Sequence, residues 1–118
     1  MSERYSRLFT LSENLYATGS PVVIAAGTLL KDTQTGRIVA QLKLKSISNQ
    51  EIKAVKVRLD LADTAGNSIG NSVEYDYLDL NVTRDAEFGQ KNPIVIPEAK
   101  ARSYNVKVTE VVFADRTL

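Results

Sequence analysis

The chain has 118 residues, a formal net charge of +1, and neither cysteine nor histidine. That length suits one domain with a core of its own. The missing residue types exclude disulfides, zinc–thiolate sites, thiol chemistry and the Ser–His or Cys–His nucleophile pair, and a charge so close to neutral gives no pull towards nucleic acid or an anionic membrane.

Met1-Ser2-Glu3-Arg4-Tyr5 carries no apolar run of signal-peptide type, and no stretch is long enough to cross a bilayer as a helix. The expectation is a cytoplasmic protein, or an extracytoplasmic one if a membrane segment lies in a remainder outside these residues. Tyr5 to Leu15 alternates loosely, with Leu8, Thr10 and Ser12 against Phe9, Leu11 and Glu13, and reads as a first edge strand. Thr18-Gly19-Ser20-Pro21 is a turn. Val22 to Leu30 is apolar on both faces, and its small residues Ala25, Ala26 and Gly27 predict close approach of another element. Asp32 to Gly36 is a polar loop with Gly36 placed for positive φ. A hairpin there would set Leu30 near Ile38 and Ala26 near Leu42.

The pattern is clearest from Gly36 to Asn67. Ile38, Ala40, Leu42 and Leu44 share one face against Gln41, Lys43 and Lys45. After the break Ser48-Asn49-Gln50-Glu51, Val55, Val57, Leu59 and Leu61 share a face against Lys56, Arg58 and Asp60. A period of two over this length marks half-buried strands. A hairpin across the break would oppose Lys43 and Lys56, which costs up to about 1 kcal/mol. An arch from one sheet to the other instead turns the two apolar rows towards each other and the lysines outward. The arch is the expectation, with Ile47 and Ile52 closing the core beneath the turn.

Asp63 to Asn67 is a second hairpin signal, with Gly66 in the left-handed position of a bulged turn. Ile69 to Leu80 is extended. Val73, Tyr75 and Tyr77 hold one face until the phase slips to Leu78, Leu80 and Val82. Thr83 to Asn92 is a polar loop carrying Phe88 and Gly89. Pro93 to Pro97 is a short edge strand flanked by proline, and Glu98 to Ala101 a turn. Tyr104, Val106 and Val108 alternate in a last strand that ends in Val111-Val112-Phe113. No helical stripe, repeat or heptad is present. The sum is an all-β fold: an immunoglobulin- or fibronectin-III-like β-sandwich of about seven or eight antiparallel strands. Residues 1–118 form a single sandwich domain, and a strand so near Leu118 suggests the N-terminal part of a longer protein.

Leu42 to Asn49, followed by Ile52 to Asn67 with Asp63 and Gly66 before the next strand, resembles the immunoglobulin-like accessory modules of bacterial proteins. That resemblance implies that the two central strands lie in opposite sheets. Tyr75 to Asn81, Glu87 to Lys91 and Val111 to Asp115 are similar to an uncharacterised domain of Gram-positive bacteria found beside zinc ribbons and membrane segments. Neither resemblance brings catalytic residues.

The candidate sites each have a structural alternative. Asp60, Asp63, Glu74, Asp76, Asp79 and Asp85 include enough oxygens for calcium, yet they alternate with apolar residues as solvated faces do. Lys43, Lys45, Lys56, Arg58 and Lys107 would split between two outer faces in an arched fold, leaving no basic patch. Tyr75, Tyr77 and Tyr104 offer a stacking platform for sugars or bases, or core packing with hydroxyls at the rim. Phe88 beside Gly89 anchors a partner, or tucks over the open end of the sandwich. No metal ligands, cofactor or catalytic residues are assigned. The functional expectation is a non-catalytic interaction or structural module of a larger bacterial protein. A protein partner would meet its edge strands or the loop around Phe88, with Phe88, Gly89, Tyr75 and Tyr77 as the candidate contacts. A weak homo-oligomer is compatible with it. Nucleic-acid binding and direct membrane insertion are not expected. The alternatives are a carbohydrate- or calcium-binding module and, last, an enzyme.

Overall fold

The computed structural model describes residues 5–11 and 19–114. The expectations placed on Ser12, Glu13, Leu15, Thr18 and Asp115 lie outside them. Eight strands are described: β1 (Tyr5–Thr10), β2 (Val22–Asp32), β3 (Ile38–Ser46), β4 (Ile52–Ala62), β5 (Val73–Tyr77), β6 (Glu87–Phe88), β7 (Ile94–Ile96) and β8 (Ser103–Phe113). The described residues are all-β, without helix, in antiparallel sheets. One sheet runs β1-β2-β3-β6, with β7 also on β3, and the other runs β5-β4-β8.

β3 and β4 therefore lie in different sheets, joined by the arch that the charge pattern predicts. Ile38, Ala40, Leu42 and Leu44 from one layer and Val55, Val57, Leu59 and Leu61 from the other are all buried in one core. Each such side chain contributes about 2 kcal/mol of burial. Lys43 sits opposite Ala26, and Lys56 opposite Asp76 and Glu110, so the two lysines never meet. Arg84 pins the arch, its guanidinium donating to the Ile47 carbonyl and to Asn49 Oδ1, each at 2.9 Å. Ile52 is fully buried beneath the turn and Ile47 half-buried.

The β2–β3 hairpin forms one residue away from the expected register. Leu30 pairs with Val39 and Ala26 with Lys43. The loop explains the shift: the Asp32 and Arg37 backbones close it by hydrogen bond, and Asp32 Oδ1 accepts from the Gln34 amide at 2.9 Å. Gly36 takes φ +77° as its position requires. The register then shifts again between Ile24 and Ala26. This one-residue bulge carries the inward row from Leu29 and Gly27 to Ile24 and Val22. It is why the segment looks apolar on both faces. The expected close approach is real at Gly27, where a Cβ would lie 2.6 Å from Tyr104 Oη and 2.7 Å from Leu11 Cδ1.

The Asp63–Asn67 turn forms with Gly66 at φ +88°. The next segment is shorter than Ile69 to Leu80. Its strand ends at Tyr77, and Asp79 turns the chain with φ +56°. Leu78 does not join the core and is 64% exposed, whereas Val82 bridges to Ile52 and is buried. The phase slip is a kink between two short pairings on β4. The last strand is continuous over eleven residues because a bulge at Thr109 links its two inward rows.

Candidate functional site

The four residues singled out as contacts come together, but inside the molecule. β5 and β6 are margin strands of the two sheets, on the same side of the core. The Tyr77 ring meets the Phe88 ring edge-on at 5.8 Å and the Tyr75 ring at 4.8 Å. Gly89, at φ +94°, lies so close that an added Cβ would stand 3.3 Å from Tyr77 Cε1 and 2.9 Å from Leu44 Cδ1. Phe88 is not a loop residue. It pairs with Leu44 and is buried, so the ring presents no surface to a partner. What stays exposed around it is the turn Gln90 to Pro93.

The expectation that the tyrosine hydroxyls reach the rim fails for two of the three. Tyr77 and Tyr104 are both buried. Tyr104 Oη donates to the Thr28 carbonyl at 3.1 Å, tying β8 to β2 across the core. The buried Tyr77 hydroxyl has no hydrogen-bond partner among the described residues. Burial raises the pKa of each above the ordinary tyrosine value, with Tyr75 adding to the effect at Tyr77 and Tyr77 at Tyr104. Tyr75 is half-buried.

The carboxylates are spread and mostly engaged. Asp63 Oδ1 accepts from the backbone amides of Ala65 and Asn67, both at 3.0 Å, and so braces its own turn. Asp60 accepts from Ser72 and Arg58, and the Ser72 hydroxyl, helped by Arg58 against partial burial, holds its pKa below the usual carboxylate value. Asp76 lies 4.0 Å from Lys56, and Asp85 4.0 Å from Lys45. Among the described residues no three acidic side chains are grouped to hold a metal ion. The cations divide as the arch requires, Lys43 and Lys45 on one outer face and Lys56, Arg58 and Lys107 on the other. Lys43 has Glu87 at 3.7 Å. No helix among the described residues is long and apolar enough to cross a membrane.

No family model, curated protein or solved structure matches this chain.

The features left over are at the sheet margins, where backbone groups have no neighbouring strand. At one margin β7 presents Val95, 57% exposed, in line with half-buried Val39 and Leu30 on the outer face. At another, β8 pairs only with β4 and keeps Val108, Val111 and Phe113 half-covered. The prolines around Ile94 to Ile96 announce the first margin in the sequence. The second has only a faint signal, the change of phase between Val108 and Val111.

Proposed function

We propose that these residues form an immunoglobulin-like sandwich acting as a non-catalytic interaction module of a larger bacterial protein, and that it meets a protein partner by strand addition at an open margin. Support for the fold comes from the arch and from the layer order, in which β2-β3-β7 faces β5-β4-β8. The observation that carries the function is Val95. It is an apolar side chain more than half exposed on an edge strand, continuing an outer-face row through Val39 to Leu30. Strand addition uses the free backbone groups of such an edge for affinity and the neighbouring side chains for selection. A lysine on an edge blocks this mode without touching the core. The test is co-purification from a bacterial lysate with wild-type protein and with Val95→Lys. The expected result is a stoichiometric partner that Val95→Lys loses while its melting temperature stays within about 2 °C of wild type, since an exposed substitution changes stability little. Equal recovery with both proteins refutes the reading.

A further inference from the structure

The three-stranded sheet is one strand narrower than the sheet it covers. Phe88 of β6 touches Tyr77 of β5, the buried row of β3 faces that of β4, and Tyr104 of β8 bonds to Thr28 of β2. β5 thus lies against β6, β4 against β3, and β8 against β2. Only the Tyr104 ring reaches further, meeting Phe9 of β1 at 5.2 Å. The described residues put no strand of the narrower sheet over β1. On both sides of this position apolar side chains are half-covered: Leu8 and Phe9 on β1, and Val108, Val111 and Phe113 on β8. A groove of about 410 Å³ runs along the β8 side, with Pro21 on its far wall. Strands in a sheet lie about 4.8 Å apart, so the space suits one more.

We propose that this margin receives one extended strand from a partner chain, antiparallel to β8, with apolar side chains inward and a basic–apolar–acidic triplet at its centre. The proposal rests on the interaction-module reading above and assigns it a different edge and a partner chemistry. The triplet follows from charge. On the outer face one cross-strand row runs Glu74, Arg58, Lys107 and ends on two cations. The next runs Asp76, Lys56, Glu110 and ends on an anion. A neighbouring strand is favoured with an acid beside Lys107 and a base beside Glu110. The spacing follows from the bulge. β4 meets Glu110, Val108 and Lys107 with three consecutive residues, Lys56, Val57 and Arg58, because Thr109 is extra. A strand on the other edge of β8, running the same way as β4, meets them in the order basic, apolar, acidic. A second copy pairing β8 with β8 is disfavoured, because its wider sheet would enter the layer that β1 already fills.

The test uses two synthetic strands of alternating threonine and valine, one with a central Lys-Val-Glu and one with Glu-Val-Lys. Binding is followed by titration and by hydrogen exchange of the full chain. The expected result is that Lys-Val-Glu protects the amides of β8 and leaves those of β5 unchanged. It should bind about tenfold more tightly than its inverted twin, the ratio expected for two charge pairs of ordinary cross-strand strength. The double variant Lys107→Glu with Glu110→Lys changes only exposed side chains and should reverse the preference. The proposal is overturned if neither peptide protects β8 or if the double variant keeps the wild-type preference. It is also overturned if the amides of β8 not bonded to β4 are already slow in the free monomer, which assigns the groove to the chain's own residues, or slow only in a dimer, which assigns it to a second copy. Loss of the co-purified partner in Val95→Lys alongside any of these results leaves the module reading intact and confines docking to β7.

Discussion

Replacing Tyr77 by phenylalanine removes one oxygen from a site that gives it nothing to bond. The side chain is 3% exposed and its hydroxyl has no partner, while the ring keeps its edge contacts with Tyr75 and Phe88. A buried hydroxyl without a hydrogen bond costs about 1–3 kcal/mol. Tyr77→Phe is therefore expected to stabilise the fold by about 1 kcal/mol, after allowance for a small void where the oxygen stood. Tyr104 is the internal control. It is equally buried, but its hydroxyl donates to Thr28 across the core. Tyr104→Phe loses that bond and leaves a carbonyl short of a donor, so it is expected to destabilise by about 1 kcal/mol. The same chemical change thus carries opposite signs at two sites. Urea unfolding followed by circular dichroism measures both, and at this size 1 kcal/mol moves the melting temperature by about 3–6 °C. A loss of 1 kcal/mol or more in Tyr77→Phe would refute the reasoning, because it would reveal a partner for the hydroxyl, such as a buried water.

Both tyrosines also set the alkaline limit of stability. Their folded pKa values are raised from 10.0, first by burial. Folding therefore favours the neutral phenol, and this contribution is whole below about pH 10 and lost as pH rises from there through the folded values. The Tyr77→Phe, Tyr104→Phe double variant should lose less stability between pH 10 and 12 than wild type, and an unchanged alkaline slope in urea melts would count against it. Gly27→Ala drives a Cβ to within 2.6 Å of Tyr104 Oη and 2.7 Å of Leu11 Cδ1 and is expected to cost about 2–3 kcal/mol. Gly66→Ala meets nothing within 4 Å and pays only for φ +88°, about 1 kcal/mol, so equal losses at the two glycines would show that close approach at Gly27 is not the reason for its glycine. Leu44→Ala and Leu59→Ala empty fully buried sites on facing sheets, and each should cost about 3 kcal/mol in chemical denaturation. A cost below 1 kcal/mol at either would mean that the two rows do not share a core.

The margins carry the functional reading, and they are what local pattern shows least. The prolines beside Ile94 to Ile96 mark an edge, since proline cannot donate to a ladder. Nothing local in Val106 to Phe113 says that β8 has a neighbour on one side only, because each residue of a strand looks the same whether one or both of its edges are paired. Phe88 is the opposite case. It sits in a polar stretch and reads as a loop aromatic, but two residues of that stretch pair with Leu44 and Lys45 of β3, and the ring is taken into the core.

The amino-acid order alone determined the strand character of β3 and β4, their inward rows, and the arch between them. Period-two alternation and the repulsion of Lys43 and Lys56 are local quantities that need no knowledge of the rest. It also determined the backbone demands met at Gly36 and Gly66, because a turn's φ is a property of a few residues. Only the tertiary structure decided the bulges at Ala25 and Thr109, the shifted β2–β3 register, the burial of Phe88 and the orphaned hydroxyl of Tyr77. Each depends on how a strand fits a neighbour distant in sequence, where a one-residue slip moves every side chain to the other face, and that fit is settled by packing the whole core.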